Sequence, residues 1–215
     1  MISRPALLLG KWLKGVPVKY YLMWQDVSIK GKWVLDDVGY FNNWNFIDPP
    51  VNFMEPGSYS SKVRFDGVEV DYSLAGYASV PVLSEKAVDS LIGLPEIDEP
   101  CRNVVFAPVE IKHKILKQNY FAMIIETQID CVDEGSSEFS VFENNDPVRP
   151  DLAGTYRSFF NLVIDVSKVG EKHIFRLKKY LGAVIVSEEV KRRFEGAGVT
   201  GVVFDLLNGP EKVVA

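Results

Sequence analysis

The chain has 215 residues, 47% apolar and 25% charged. That balance supports one continuous core and argues against long disordered regions. The formal net charge of −5 disfavours direct nucleic-acid binding, which usually needs a basic face.

The early apolar run Ala6-Leu7-Leu8-Leu9 is cut off by Lys11, before a signal-peptide core could form. No stretch approaches the roughly 20 apolar residues of a membrane span. The expectation is a chain that is not inserted in a membrane and not exported by a classical signal.

Val18 to Trp24 reads as a strand, and Lys32 to Tyr40 as a second one. All four tryptophans, Trp12, Trp24, Trp33 and Trp44, fall in the first 44 residues, and Tyr20, Tyr21, Tyr40, Phe41 and Phe46 join them. Residues 42–60 include Asn42, Asn43, Asn45, Pro49, Pro50, Pro56 and Gly57, the composition of a long loop.

The middle of the chain carries the acidity. From Gln118 to Val148 there is no Lys or Arg, and Glu126, Asp130, Asp133, Glu134, Glu138, Glu143 and Asp146 stand uncompensated. Such a run projects a negative field.

The last third holds clearer elements. Phe159 to Val166 and Gly182 to Val186 are expected as buried strands. Ser187 is placed to cap a helix with its hydroxyl, with Glu188 and Glu189 at the positive end of the helix dipole. Val190, Phe194 and Ala197 follow at spacings of four and three, which predicts one buried face. Gly198 is the expected stop, and Val202 to Leu207 the returning strand. Upstream, Val82-Leu83-Ser84-Glu85 echoes Ile185-Val186-Ser187-Glu188, and Val104-Val105-Phe106 echoes Val202-Val203-Phe204. A duplicated strand–helix–strand unit and two unrelated units with the same capping chemistry both fit. The expected fold is α+β: a mixed or mainly antiparallel sheet with a few short helices. Residues 1–75 form an aromatic-rich strand and loop region and 76–215 an α+β core, the two expected to make one globular unit.

Catalytic chemistry finds little support. Cys101 and Cys131 fit no zinc spacing and no disulfide framework, and are expected as reduced, partly buried thiols in a reducing cytosol. There is no Gly-x-Ser-x-Gly elbow, no phosphate loop and no Rossmann fingerprint. The histidines, His113 and His173, would need a neighbouring Ser or Cys to build a triad. Asp98 with Glu110-Ile111-Lys112 has the spacing of a metal-dependent nuclease site, but Glu-x-Lys arises easily by chance and the acidic surroundings would repel nucleic acid. Asp36-Asp37 and Asp133-Glu134 read as turn carboxylates more readily than as acid–base pairs. No cofactor and no metal are expected.

Three segments carry a resemblance: Ile174-Phe175-Arg176-Leu177, Val184-Ile185-Val186-Ser187-Glu188-Glu189-Val190-Lys191, and Ala197-Gly198-Val199-Thr200-Gly201-Val202-Val203-Phe204. In them the chain resembles the myxococcal-type immunity protein family of bacterial polymorphic toxin and type VI secretion systems. The likeness is closest over 174–207, with further matches at Val80 to Ala87 and in the Tyr120-Phe121 strand. These motifs are caps, turns and buried strands, so they bring no active-site residues. The resemblance implies a cytoplasmic, non-enzymatic protein that neutralises a cognate toxin effector by stoichiometric binding.

A basic, nucleic-acid-targeting toxin would be steered by acidic residues, which makes Asp130, Asp133, Glu134, Glu138 and Glu143 the candidate contact surface. Trp33 and Trp44, with Tyr40 and Phe41, form a second candidate, since aromatic anchors are favoured at interfaces. The competing readings are a metal-dependent nuclease or other hydrolase built on Asp98, Glu110 and Lys112, and a small-molecule or regulatory binding module.

Overall fold

The structure is a computed structural model that describes residues 18–40, 44–52, 59–98 and 100–207, with only the backbone of Trp44 and Asn45. The early apolar run, Trp12 and Phe41 lie outside the described residues.

The first half of the described chain holds β1 (Tyr20–Gln25), β2 (Val34–Leu35), β3 (Gly39–Tyr40), β4 (Trp44–Asn45), β5 (Tyr59–Phe65), β6 (Tyr72–Ala75), β7 (Val80–Ser84) and helix α1 (Glu85–Leu91). The second half holds β8 (Val104–Lys112), β9 (Tyr120–Ile125), β10 (Gln128–Ile129), β11 (Glu138–Val141), β12 (Tyr156–Asn161), β13 (Ile174–Leu177), β14 (Tyr180–Ser187), α2 (Glu188–Gly196) and β15 (Val202–Leu206).

Three sheets result. One has the order β10-β13-β14-β1-β15. A larger one runs β4-β3-β5-β8-β9-β7-β6, with β2 beside β5, and β11 and β12 form a separate two-stranded ribbon. Only the β5–β8 and β10–β13 pairs are parallel among the described strands. The fold is α+β with mixed, mainly antiparallel sheets, as expected from the sequence.

Two parts of the structure share one arrangement of strands. β7 and β8 both pair antiparallel with β9, so they run parallel to each other with β9 between them. β14 and β15 stand in the same relation to β1. The registers correspond as well. Tyr120 faces Ser84 where Tyr20 faces Ser187, and Met123 faces Phe106 where Met23 faces Phe204. The Glu85 N–H donates to the Asn119 carbonyl and the Glu188 N–H to the Lys19 carbonyl, both at 2.9 Å.

The helices pack on a shared core of Tyr72, Leu91, Leu94, Met123, Val190 and Phe194. Each large apolar side chain there contributes about 2–3 kcal/mol on full burial. β14 is buried on both faces. Val184 and Val186 enter this core, while Ala183 and Ile185 enter another with Tyr20, Tyr156 and Phe175. Burial on both sides is why β14 reads as a continuous apolar run.

Several sequence expectations are corrected. The strand expected over Phe159 to Val166 ends at Asn161, because Asn161 Nδ2 and the Val163 N–H turn to the Ser136 carbonyl and the Ser137 hydroxyl. The strand expected over Lys32 to Tyr40 is broken at Asp36-Asp37, where Asp36 accepts from the Asp37 N–H and Asp37 from the Tyr77 N–H. Residues 42–60 are not all loop, since β4 and the start of β5 fall there. Ala197 is exposed, as the cap residue beyond the last buried turn. Cys131 is buried but Cys101 is exposed, and both are free thiols. The Phe175-Arg176-Leu177 motif is wholly interior. The Arg176 guanidinium donates to the Leu181 carbonyl, and burial lowers its pKa to about 10, so it stays cationic at neutral pH.

Candidate functional site

The basic-free stretch begins in the core and ends on the surface. β9 is one of the most buried strands, whereas β11 and the turns around it are half-buried or exposed. The ribbon is held by an aromatic cluster. The Phe139 ring centroid lies 4.9 Å from that of Tyr156, Tyr156 lies 4.8 Å from Phe159, and Phe159 lies 5.1 Å from Tyr180. A Ser140–Ser158 hydroxyl pair at 2.8 Å links its two strands.

The acidic side chains separate into two groups. Asp133 accepts from the Gly135 and Ser136 N–H groups and from the Ser136 hydroxyl, so it shapes the turn that leads into β11. Glu134 accepts the Tyr156 hydroxyl at 2.6 Å. Burial, reinforced by Glu134, raises the pKa of that phenol well above its ordinary value. Asp146 is buried, accepts from the Val148 and Arg149 N–H groups and pairs with Arg157 at 3.3 Å. In contrast, Asp130, Glu138 and Glu143 are exposed, and among the described residues their carboxylates make no hydrogen bond or ion pair. These three are free to act on a partner.

An open cleft of about 750 Å³ lies beside the Asp133 turn, lined by Asp130, Asp133, Glu134, Asp165, Lys168 and Lys179 among others. Asp165 is engaged there with the Ser167 N–H and hydroxyl and with Lys168. Asp130 is therefore the uncommitted acid of the cleft.

The aromatic candidate does not hold as drawn. Trp33 is 1% exposed, its indole N–H donates to the Ser73 hydroxyl at 3.0 Å, and its ring centroid lies 5.0 Å from that of Tyr120. It is a core residue, held just before β2 by its backbone N–H to the Val68 carbonyl and packed with Leu35, Val70 and Tyr120. Tyr40 is half-buried and packs on Tyr59 and Phe46. The Trp44 side chain lies outside the described residues.

The nuclease constellation is not assembled. Asp98 is exposed in the loop after α1, where its carboxylate lies near the Gly93 N–H. Glu110 and Lys112 lie at the far end of β8, beyond Val104. Six residues of extended strand separate Val104 from Glu110, about 20 Å. Two carboxylates so placed cannot share one metal ion. Among the described residues no group of three or more His, Cys, Asp and Glu could hold a metal.

One histidine does meet a serine. His173 Nδ1 lies 2.8 Å from the Ser187 hydroxyl, and the buried Glu96 accepts from the His173 backbone N–H. This departs from the expected cap, since the Ser187 side chain makes no capping hydrogen bond to α2. It also departs from a triad. Glu96 binds the backbone of His173 rather than its ring, and Ser187 is 1% exposed at the end of β14. A nucleophile needs access to its substrate.

Residues 100–208 match the model of a family described as the immunity protein family (Imm11). The chain belongs to the Imm11 immunity protein family. No curated protein matches it. The Imm11 match spans β8 through β15 and includes all three free carboxylates. It leaves out β1, which lies between β14 and β15, and the β7–α1 unit that packs on α2. An immunity family implies a toxin as partner. Among the described residues no helix is long and apolar enough to cross a membrane.

Proposed function

We propose that this protein neutralises a cognate antibacterial toxin by forming a stoichiometric complex with it in the cytoplasm of the producing cell. Membership of the Imm11 immunity family carries the reading. The toxin is read as a basic, nucleic-acid-targeting domain of a polymorphic or type VI effector. The exposed carboxylates Asp130, Glu138 and Glu143 would steer its approach. Of the residues singled out in the sequence, Asp133 and Glu134 contribute charge to the same face while holding its turn together.

We also read the two strand–helix–strand units as copies of one ancestral unit, a reading supported by their matching registers. The β11–β12 ribbon belongs to neither unit. A segment set outside the paired frame suits partner-specific contacts.

The test is co-expression with the toxin domain encoded beside this chain's gene. Restored growth and co-elution as a stoichiometric complex are the expected results. Failure of the purified proteins to associate at micromolar concentration would sink the reading. Asp130→Lys and Glu143→Lys should each slow association at low salt and lose that effect at high salt. Rates unchanged at low salt would remove the charged face from the interface.

A further inference from the structure

The ribbon has two irregularities, both on β12. Glu138 faces Asn161 and Phe139 faces Phe159, which leaves Phe160 as an extra residue. Ser140 faces Ser158 and Val141 faces Tyr156, which leaves Arg157 as another. A bulge re-aims the side chain of the extra residue. Arg157 turns over the Phe142 ring, with its guanidinium carbon 5.4 Å from the centroid, and pairs with Asp146. Phe160 has no such use and is 79% exposed. Its neighbour Phe159 points into the aromatic cluster that fixes the ribbon.

We propose that Phe160 is the apolar anchor of the toxin interface, seated on binding in an apolar pocket of the toxin that is rimmed by basic side chains. The proposal rests on the immunity reading above and names the residue that carries the contact. Three observations point to this occupant.

The ribbon is preorganised, so Phe160 is presented without ordering a loop, which lowers the entropic cost of binding. The charge facing it from β11 is acidic, and Arg157 on its own strand is already paired with Asp146. Glu138 is free and faces Asn161, the residue next to Phe160, and Asn161 Nδ2 donates to the Ser136 carbonyl in the turn shaped by Asp133. An aromatic side chain beside a free carboxylate complements a basic surface with an apolar centre.

The third observation is a contrast with another exposed apolar patch. Val34 faces Phe65 across β2 and β5, and Val68 pairs with Lys32. There Lys32, Lys62, Arg64 and Lys114 outnumber Asp66 and Glu69, a net basic setting that disfavours a basic toxin.

The test measures association and dissociation rates of the full chain with the toxin domain encoded beside its gene. Phe160→Ala, Glu138→Lys and Phe65→Ala are compared with wild type. Phe160→Ala should raise koff about 30-fold or more, the level of an interface hot spot. Its kon should stay within about twofold, because short-range burial acts on dissociation more than on encounter. Glu138→Lys should slow kon about threefold at low salt. Phe65→Ala should change neither rate. Because Phe160 is exposed, its alanine variant should keep the wild-type thermal midpoint.

A koff within about twofold of wild type for Phe160→Ala, with binding intact, would overturn the proposal. If Glu138→Lys still slowed association, the acidic-face reading would survive that result. A loss of affinity on Phe65→Ala alone would move the docking site to the opposite charge and overturn both the anchor and the acidic face. No association by wild type would overturn the anchor together with the immunity reading.

Discussion

The Asp71 carboxylate accepts both the backbone N–H and the hydroxyl of Thr200, at 2.8 and 2.7 Å, across 129 residues of chain. It also accepts the Ser84 hydroxyl at 2.8 Å and pairs with Lys86 at 2.7 Å. One carboxylate thereby joins the start of α1 to the turn between α2 and β15. Asp71→Ala should cost about 3 kcal/mol, because it leaves several buried donors without a partner. Urea unfolding at neutral pH checks this, and an effect below about 1 kcal/mol would contradict the joint.

Asp71 also sets a pH dependence. Burial alone would raise its pKa, but the hydrogen bonds from Lys86, Thr200 and Ser84 outweigh it and bring the value down to about 2, from 3.8. Ionisation therefore favours the folded state. The contribution, about 2 kcal/mol, is complete above pH ~4 and is lost as pH falls towards 2. The stability gap between wild type and Asp71→Asn should shrink from pH 6 to pH 3. A gap that widened would contradict the sign.

Gly201 has φ +87, and a Cβ there would sit 2.4 Å from the Tyr72 carbonyl oxygen and 2.9 Å from the Val70 side chain. Gly201→Ala should destabilise by about 3 kcal/mol or more, from strain plus a backbone clash. Gly154, with φ +77, has nothing within 4 Å of that position. Gly154→Ala should cost only about 1 kcal/mol. Thermal melts of the two variants separate clash from strain.

The Ser187–His173 contact invites a chemical test. A fluorophosphonate probe should leave Ser187 unlabelled in the native protein, because its hydroxyl is buried under α2. Stoichiometric labelling would revive a hydrolase reading.

The two thiols should differ sharply. Cys101 is exposed, while Cys131 is buried, and burial with the nearby Asp130 charge pushes its pKa up to about 11. A thiol reagent should titrate one cysteine in the native state and both in denaturant. Two fast native thiols would mean that the Cys131 core opens.

The C-terminal unit was the most legible part of the sequence. β14, α2 and β15 show there as a long apolar run, two carboxylates after a serine, a buried Val190–Phe194 pair and a glycine stop. Trp33 was misleading, because it lies just before the two-residue strand β2, where there is no alternation to reveal which way a side chain faces. The free and engaged carboxylates looked alike. The group that occupies Glu134, the Tyr156 hydroxyl, comes from β12, and only ribbon pairing brings the two close, while Asp146 is held locally by the Val148 and Arg149 N–H groups as well as by Arg157. For Asp133 a signal did exist. Asp-Glu-Gly-Ser-Ser is the composition of a side-chain-stabilised turn. Phe160 had none, because a bulge is a property of register and two adjacent phenylalanines do not say which one is extruded.

β1 is hydrogen-bonded on one side to β14 and on the other to β15, the last described strand. A ribosome delivers β1 well before its two neighbours, so β1 stays unpaired in this sheet until β14 and β15 have been made. A copy cut before β14 would leave both edges of β1 without a partner strand.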